Sequence, residues 1–276
     1  MKPLSKAYTA LIFVILYAPI AVMVLFSFNS INSTGVFAGF STYWYRELFR
    51  DGATLAALKN TLVLAVTSSL IATIIGTVAA VGIFKLKSRA AKSAIMTVTN
   101  IPMMNPDIVT GISMMLLFVF VCVRLAGAAS LSFVTVLIAH ITFNLPYVIL
   151  SVMPKLRQMD KHLTEAALDL GCTPMQAFWK VELPSIMPGV VSGLIMAFTL
   201  SLDDFVISYF TTGSGFETLP IRIYSMTKKR VTPDMYALST LIFIAVLTLL
   251  ILSNLAGSKS GKKSRTKAPA HMEVTK

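Results

Sequence analysis

The residues under the tightest chemical constraint are two acids in an apolar run, Asp203 and Asp204, side by side within SLDDFVISYF. A carboxylate in hydrocarbon is costly unless it is paired or reached by water, so such residues are functional candidates by default. Measured along a helix from Ser185, where the run begins, they lie ~27 Å into a ~30 Å hydrocarbon crossing, close to one mouth of the span. Adjacent helical residues point ~100° apart, so at most one of the pair can face a pore squarely. Asp107 follows Asn105-Pro106. That is the order of a cap, a first-turn proline and an acid near a helix start, which gives Asp107 a structural reading beside a role in a cation path. His140 has no second histidine or carboxylate spaced as a metal site requires and reads as a buried hydrogen-bonding residue. Gly257 and Gly261 beside Lys262-Lys263 lack the spacing and the strand-loop-helix frame of a phosphate loop. The chain thus shows no nucleotide site, no metal site and no cofactor of its own.

The elements that must position these groups are long apolar runs, and the expected fold class is all-α, a polytopic membrane protein with six transmembrane helices. The first run, Ala7 to Phe28, carries no charge from end to end. It outlasts a signal-peptide core and lacks a clean cleavage site, so it reads as a retained anchor, kinked at Pro19. From Asn29 to Lys59, the aromatic group Phe40, Tyr43, Trp44, Tyr45 and Phe49 is broken by charges. It suits a segment at the membrane interface, with contacts to a docking partner as the other reading. Further spans run from Asn60 to Phe84, Leu131 to Met153, Ser185 to Thr212 and Met235 to Leu255. The region from Ser93 to Val123, which holds Pro102 and Pro106, is too long and interrupted for one straight helix, so a kink or a short lead-in is expected. Residues 1–6 form a short N-terminus, 7–255 the membrane domain with a polar loop at 154–184, and 256–276 a basic tail expected to be disordered.

Composition agrees. At 55% hydrophobic residues, 13% charged and a mean hydropathy of +0.76, the chain is too apolar for an ordinary soluble domain. Its net charge of +12 gathers in clusters beside apolar runs, which favours anionic lipid head groups over nucleic acid as partners. Cys122 and Cys172 imply no disulfide framework. With both termini inside, sixteen lysines and arginines fall on the cytoplasmic side and eight on the other, with Lys228-Lys229-Arg230 as the local exception. Both termini and the polar loop are therefore expected in the cytoplasm.

Within that loop, Leu163, Ala166, Ala167 and Leu170 recur at helical spacing, opposite Lys161, Glu165 and Asp169. Gly171 is the expected left-handed stop; Thr173-Pro174 then reads as a cap with a first-turn proline, and Gln176 completes a capping box. The second helix is expected to run to Pro184. This elbow resembles the coupling loop of the membrane permease subunits of ABC importers, whose pattern is met by Glu165-Ala166-Ala167, Gly171, Val181 and Leu183-Pro184, with valine where isoleucine is commoner. The resemblance implies the type I permease fold and a loop that docks in a cleft of an ATPase subunit, where Glu165 meets a basic residue and Gly171 permits the bend.

Four further runs, NPDIV from Asn105, HITFNLPYV from His140, TLSLDDFVISYFTTG from Thr199 and LPIRIYSM from Leu219, resemble the spermidine/putrescine importer permeases of bacterial inner membranes. Asn105 departs from the serine common there. The resemblance implies a second, homologous permease, two ATPase subunits that hold ATP and Mg, and an external solute-binding protein. For a polyamine, acids and aromatic faces would line a helpful route, and Asp107, Asp203, Asp204, Tyr209 and Tyr224 are the candidates. The external loops are too short to enclose a solute, so delivery by a separate receptor is expected, with Arg222, Lys228, Lys229 and Arg230 as its docking patch. Another small solute such as an amino acid is the alternative cargo. A secondary transporter would leave the elbow unexplained, and a structural protein would leave the fifth-span acids unexplained as well.

Overall fold

The computed structural model describes residues 3–33, 35–127, 131–228 and 232–248, all helical apart from turns, loops and one isolated bridge between Asn29 and Phe40. In chain order the helices are α1 (Pro3–Phe26), α2 (Tyr43–Leu48), α3 (Gly52–Lys85), α4 (Arg89–Met104), α5 (Asp107–Ala126), α6 (Phe133–Gln158), α7 (Lys161–Asp169) and α8 (Pro174–Ala177). A π turn at Phe178–Glu182 leads into α9 (Leu183–Asp203), followed by α10 (Val206–Thr211), α11 (Leu219–Thr227) and α12 (Pro233–Thr248). Five helical stretches among the described residues are long and apolar enough to cross a membrane: Lys6–Phe26, Gly52–Lys85, Asp107–Arg124, Phe133–Gln158 and Pro174–Asp203. Of the expected sixth span the structure describes α12, a shorter apolar helix. Residues 249–255 and the basic tail lie outside the described residues.

The chain divides into two compact units, the described parts of Thr61–Phe216 and of Met1–Asn60 with Glu217–Leu249. In the first, α6 and α9 form the principal packed pair. Their approach is set by a stripe of small residues on α9: Gly189, Gly193, Ala197 and Ser201, each one turn after the last and all buried. A methyl group on Gly189 would lie 2.9 Å from the Ser151 carbonyl oxygen, and one on Gly193 would lie 3.3 Å from Val148 Cα. Without a hydrophobic force between helices in lipid, such close backbone contact is the main source of association. Around the seam, Ala72, Ala80, Val81, Val148, Val152, Leu156 and Ile186 form one apolar cluster. Several hydroxyls in these helices bond the carbonyl one turn back, as Thr67 does to Val63, Thr142 to Ile138 and Ser151 to Tyr147, so these side chains need no water.

In the other unit, Leu48, Ala57, Leu219 and Leu238 make a small core. Its organising residue is Asn29, fully buried, whose amide bonds the Ser33 and Val36 carbonyls and accepts from Ala38 N, while its own carbonyl accepts from Trp44 Nε1 at 2.8 Å. Phe28 stacks on Phe40 with centroids 4.9 Å apart. The aromatic segment is thus a folded loop that satisfies its own backbone.

Four local expectations change. The second span begins at Gly52 rather than Asn60, because Asp51 accepts bonds from Ala53 N and the Thr54 hydroxyl and starts the helix early. The Ser93 to Val123 region is two helices, and Asn105 ends α4 in extended geometry instead of capping α5, whose N-cap is Pro106. A residue before proline is driven out of the α region, which accounts for the break. Pro184 does not end the second elbow helix; it sits in the first turn of α9, where a missing N–H costs nothing extra because the π turn already shifts the bonding, Leu183 N reaching Phe178 O. The fifth span is interrupted at Asp204, with extended φ and ψ of −64° and 124°.

Candidate functional site

The elbow is built as its residues dictate. Asp160 caps α7 by accepting from His162 N, and His162 Nδ1 lies 3.2 Å from Glu165 Oε2, both side chains exposed. Gly171 has φ +84°, and Cys172 N reaches back to the Ala167 carbonyl while Gly171 N bonds Leu168 O, the paired closure of a left-handed helix end. Thr173 and Gln176 then exchange side-chain to backbone bonds at 3.1 and 3.3 Å, the predicted capping box. Of the predicted apolar side, only Ala167 is buried; Ala166 is exposed and Leu163 half so. Leu170 is 87% exposed, Met175 66% and Trp179 60%. The elbow therefore closes its helix ends with its own hydrogen bonds and presents Leu170, Met175 and Trp179 outward, as a surface that binds another protein must. Val181 and Leu183 are partly buried, Leu183 against the α3/α6/α9 cluster, and Pro184 is exposed.

The second region is where α9 gives way to α10. Asp204 receives hydrogen bonds from Ile207 N and Ser208 N and so starts α10. Its Oδ2 lies 3.4 Å from His140 Nε2 on α6. His140 bonds Ser208 Oγ at 2.9 Å through Nε2 and Ser201 Oγ at 3.2 Å through Nδ1. Ser201 also meets Ser68 of α3 at 2.9 Å and Asn144 Nδ2 at 2.7 Å. Three spans and the start of α10 are thus joined by one buried polar cluster, and the side chain of Asp204 is only 8% exposed. Asp203, its neighbour, is exposed. His140 is buried and hydrogen-bonded, as the sequence implies. The serines and Asn144 were not singled out by sequence reasoning; the available signal was their position in apolar runs, shared with serines elsewhere that only bond their own helix.

Of the other path candidates, Asp107 is the exposed first residue of α5, one turn before Gly111, where a methyl group would touch the Phe210 ring at 3.0 Å. Tyr209 is partly exposed on α10 among Phe205 and Phe210. Those three acids and Tyr209 share the first-described unit; Tyr224 belongs to the other, on α11. Of the proposed docking cations, Arg222 lies 3.3 Å from Asp51 Oδ2 and Lys228 sits 4.6 Å above the Tyr224 ring, while Lys229 and Arg230 lie outside the described residues. Asp51 lies before α3, and its carboxyl is held below the ordinary value by the Thr54 hydroxyl first, with backbone bonds and Arg222 assisting against partial burial. Among the described residues, no group of histidines, cysteines and acids could hold a metal ion.

Known proteins match along most of this architecture. The family described as binding-protein-dependent transport system inner membrane component matches residues 72–258. The chain is 41% identical over 234 residues to the putrescine transport system permease protein PotI of Escherichia coli (strain K12), covering 85% of this chain and 83% of that one. It is 37% identical over 257 residues to the spermidine/putrescine transport system permease protein PotC of Haemophilus influenzae, covering 93% and 97%. Among solved structures, a chain of a bacterial ABC transporter involved in import of the acidic polysaccharide alginate superposes with a TM-score of 0.71 at 16% identity, covering 92% of this chain and 94% of that one. A chain of the methionine ABC transporter MetNI gives 0.56 at 19%, covering 81% and 99%. The last two likenesses show the fold.

Proposed function

The chain belongs to the family of binding-protein-dependent transport system inner membrane components, the permease subunits of ABC-type importers, and we propose that its cargo is a polyamine, spermidine or putrescine. In this reading it pairs with a second, homologous permease to form the membrane path. Two ATPase subunits bind ATP and Mg and dock on the elbow, and an external solute-binding protein delivers the substrate. The chain lies in the bacterial inner membrane with six spans, the sixth formed by α12 together with the apolar sequence that continues to Leu255, and with both termini in the cytoplasm. The twofold excess of lysine and arginine on that side supports the orientation.

The observation that carries the mode of drive is the outward apolar face of the elbow, with Leu170, Met175 and Trp179 exposed around the positive-φ Gly171. A span-connecting loop with no partner would bury or replace such side chains. Glu165, exposed on α7 beside His162, is then accessible to a basic residue of the ATPase cleft. Asp203 and Asp107, both exposed acids, and Tyr209 supply the cation-attracting part of the path, with Tyr224 a further candidate. Asp204 takes the structural position beside it.

Reconstitution of the permease pair with its ATPases in vesicles tests the reading. Uptake of labelled spermidine and putrescine should require ATP and the solute-binding protein and should exceed uptake of an amino acid. If Lys228-Lys229-Arg230 help dock the receptor, its association weakens as salt rises. Amino-acid uptake without polyamine uptake overturns the substrate, and uptake without ATP overturns the drive.

A further inference from the structure

We infer that the ion pair between Lys85 and Glu182 is a strut that makes the end of α3 move with the elbow. This rests on the reading that an ATPase drives the elbow. Glu182 lies between Val181 and Leu183 of the coupling pattern, in the π turn that leads from the elbow into α9. Its Oε2 is 2.9 Å from Lys85 Nζ, and the Glu182 side chain is 3% exposed against 54% for Lys85. A carboxylate so buried is held in place by its partner, because an unpaired charge there is strongly unfavourable.

The surroundings explain why an ion pair is needed at this point. Displacement of the elbow passes to α9 through the chain itself, since α8, the π turn and α9 are continuous. It reaches α3 only through non-covalent contact. Ile83 and Phe84 at the end of α3 pack in one apolar cluster with Phe178, Leu183 and Ile186. Apolar contact lets surfaces slide, whereas an ion pair to a buried carboxylate limits how far its two ends can part, because separating them would leave the charge unpaired. The π turn is itself held: α7 packs against it, and the Ser185 hydroxyl bonds the Val181 carbonyl at 2.7 Å. Lys85 is the last residue of α3, so a pull at its ammonium acts on the whole helix. Glu182 and Lys85 are therefore positioning residues for coupling, acting apart from the ATPase surface formed by Glu165, Leu170 and Trp179.

The test compares E182Q, K85Q and K85R in the complete complex reconstituted in vesicles. Polyamine uptake per ATP hydrolysed should fall about fivefold or more in E182Q and K85Q, the scale of a typical coupling free energy, while copurification of the ATPase stays at wild-type level and K85R behaves as wild type. A second readout is independent of the substrate. Spin labels at K87C and K180C, in a chain carrying C122S and C172S, should report one distance distribution with and without ATP, and the E182Q version should shift or broaden when ATP is added. Lys85 is half-exposed and stays solvated without its partner, so E182Q disturbs the fold least; unchanged coupling and unchanged distances in E182Q overturn the strut. Equal losses in K85R and K85Q overturn the charge pair as its basis. Wild-type vesicles that fail to take up polyamine while the labels respond as described refute the substrate and leave the strut standing.

Discussion

His140 Nε2 and Asp204 Oδ2 stand 3.4 Å apart in a site where both side chains are almost wholly buried. The contact joins α6 to the start of α10 and gives two adjacent acids different surroundings. Asp204 is consumed by His140 and by the N–H groups of Ile207 and Ser208, whereas Asp203 ends α9 exposed.

Asp204→Ala should therefore act on stability. Loss of a capping carboxylate costs about 0.5–2 kcal/mol, and leaving His140 without its acid adds to it. The thermal midpoint in detergent, read by loss of the monodisperse species on size-exclusion chromatography, should fall by several degrees. Asp203→Asn should leave that midpoint unchanged and lower polycation uptake at subsaturating substrate. The reverse pattern would assign the roles the other way.

Two glycines on one stripe should respond differently to the same methyl group. At Gly189 the new carbon meets the Ser151 carbonyl oxygen at 2.9 Å, and backbone cannot swing aside. At Gly193 the nearest atom is at 3.3 Å. Gly189→Ala should destabilise by about 1–3 kcal/mol, the usual cost of overpacking, and Gly193→Ala by clearly less, part of it offset by alanine's helix propensity. Parallel thermal scans of the two variants check this, and equal midpoints would mean that the α6–α9 seam is softer than described.

Gly171→Val has open space around its side chain, so its whole effect is backbone strain at φ +84°. The cost of about 1–2 kcal/mol for a left-handed residue falls on the elbow and not on the spans. Membrane insertion should be normal while ATPase copurification drops. Glu165→Ala should leave the elbow folded and also weaken the ATPase contact, because the side chain is exposed and removes only a charge. Unchanged copurification and uptake in both variants would sink the docking assignment.

Asp51 offers a pH test. Its folded pKa lies below its unfolded value, so the carboxylate stabilises the start of α3 wherever the unfolded chain is already ionised, and that stabilisation is lost as pH falls through the folded pKa. Between about pH 5 and 7 the gap in thermal midpoint between wild type and Asp51→Asn should be constant; below about pH 4 it should close. A gap that widens on acidification would contradict the sign.

Five long apolar helices, the elbow with its Gly171 stop and its Thr173–Gln176 box, and the buried bonding role of His140 were legible in the residues. Each depends on a local rule, such as the length of an apolar run, the steric freedom of glycine or the capping-box offset, and needs no knowledge of what lies across the bundle. Tertiary structure decided the rest. The helical angle between Asp203 and Asp204 does not describe their surroundings, because Asp204 leaves the helix to meet His140 on α6, the preceding membrane-length helix of the chain. Pro184 failed to stop its helix because the π turn had already displaced the hydrogen bonds. Glu182 falls between Val181 and Leu183 at a position the coupling pattern does not specify, and only folding places Lys85 beside it. In each case the deciding feature lies outside the local pattern, and a buried polar group reveals its role only when its partner is in view.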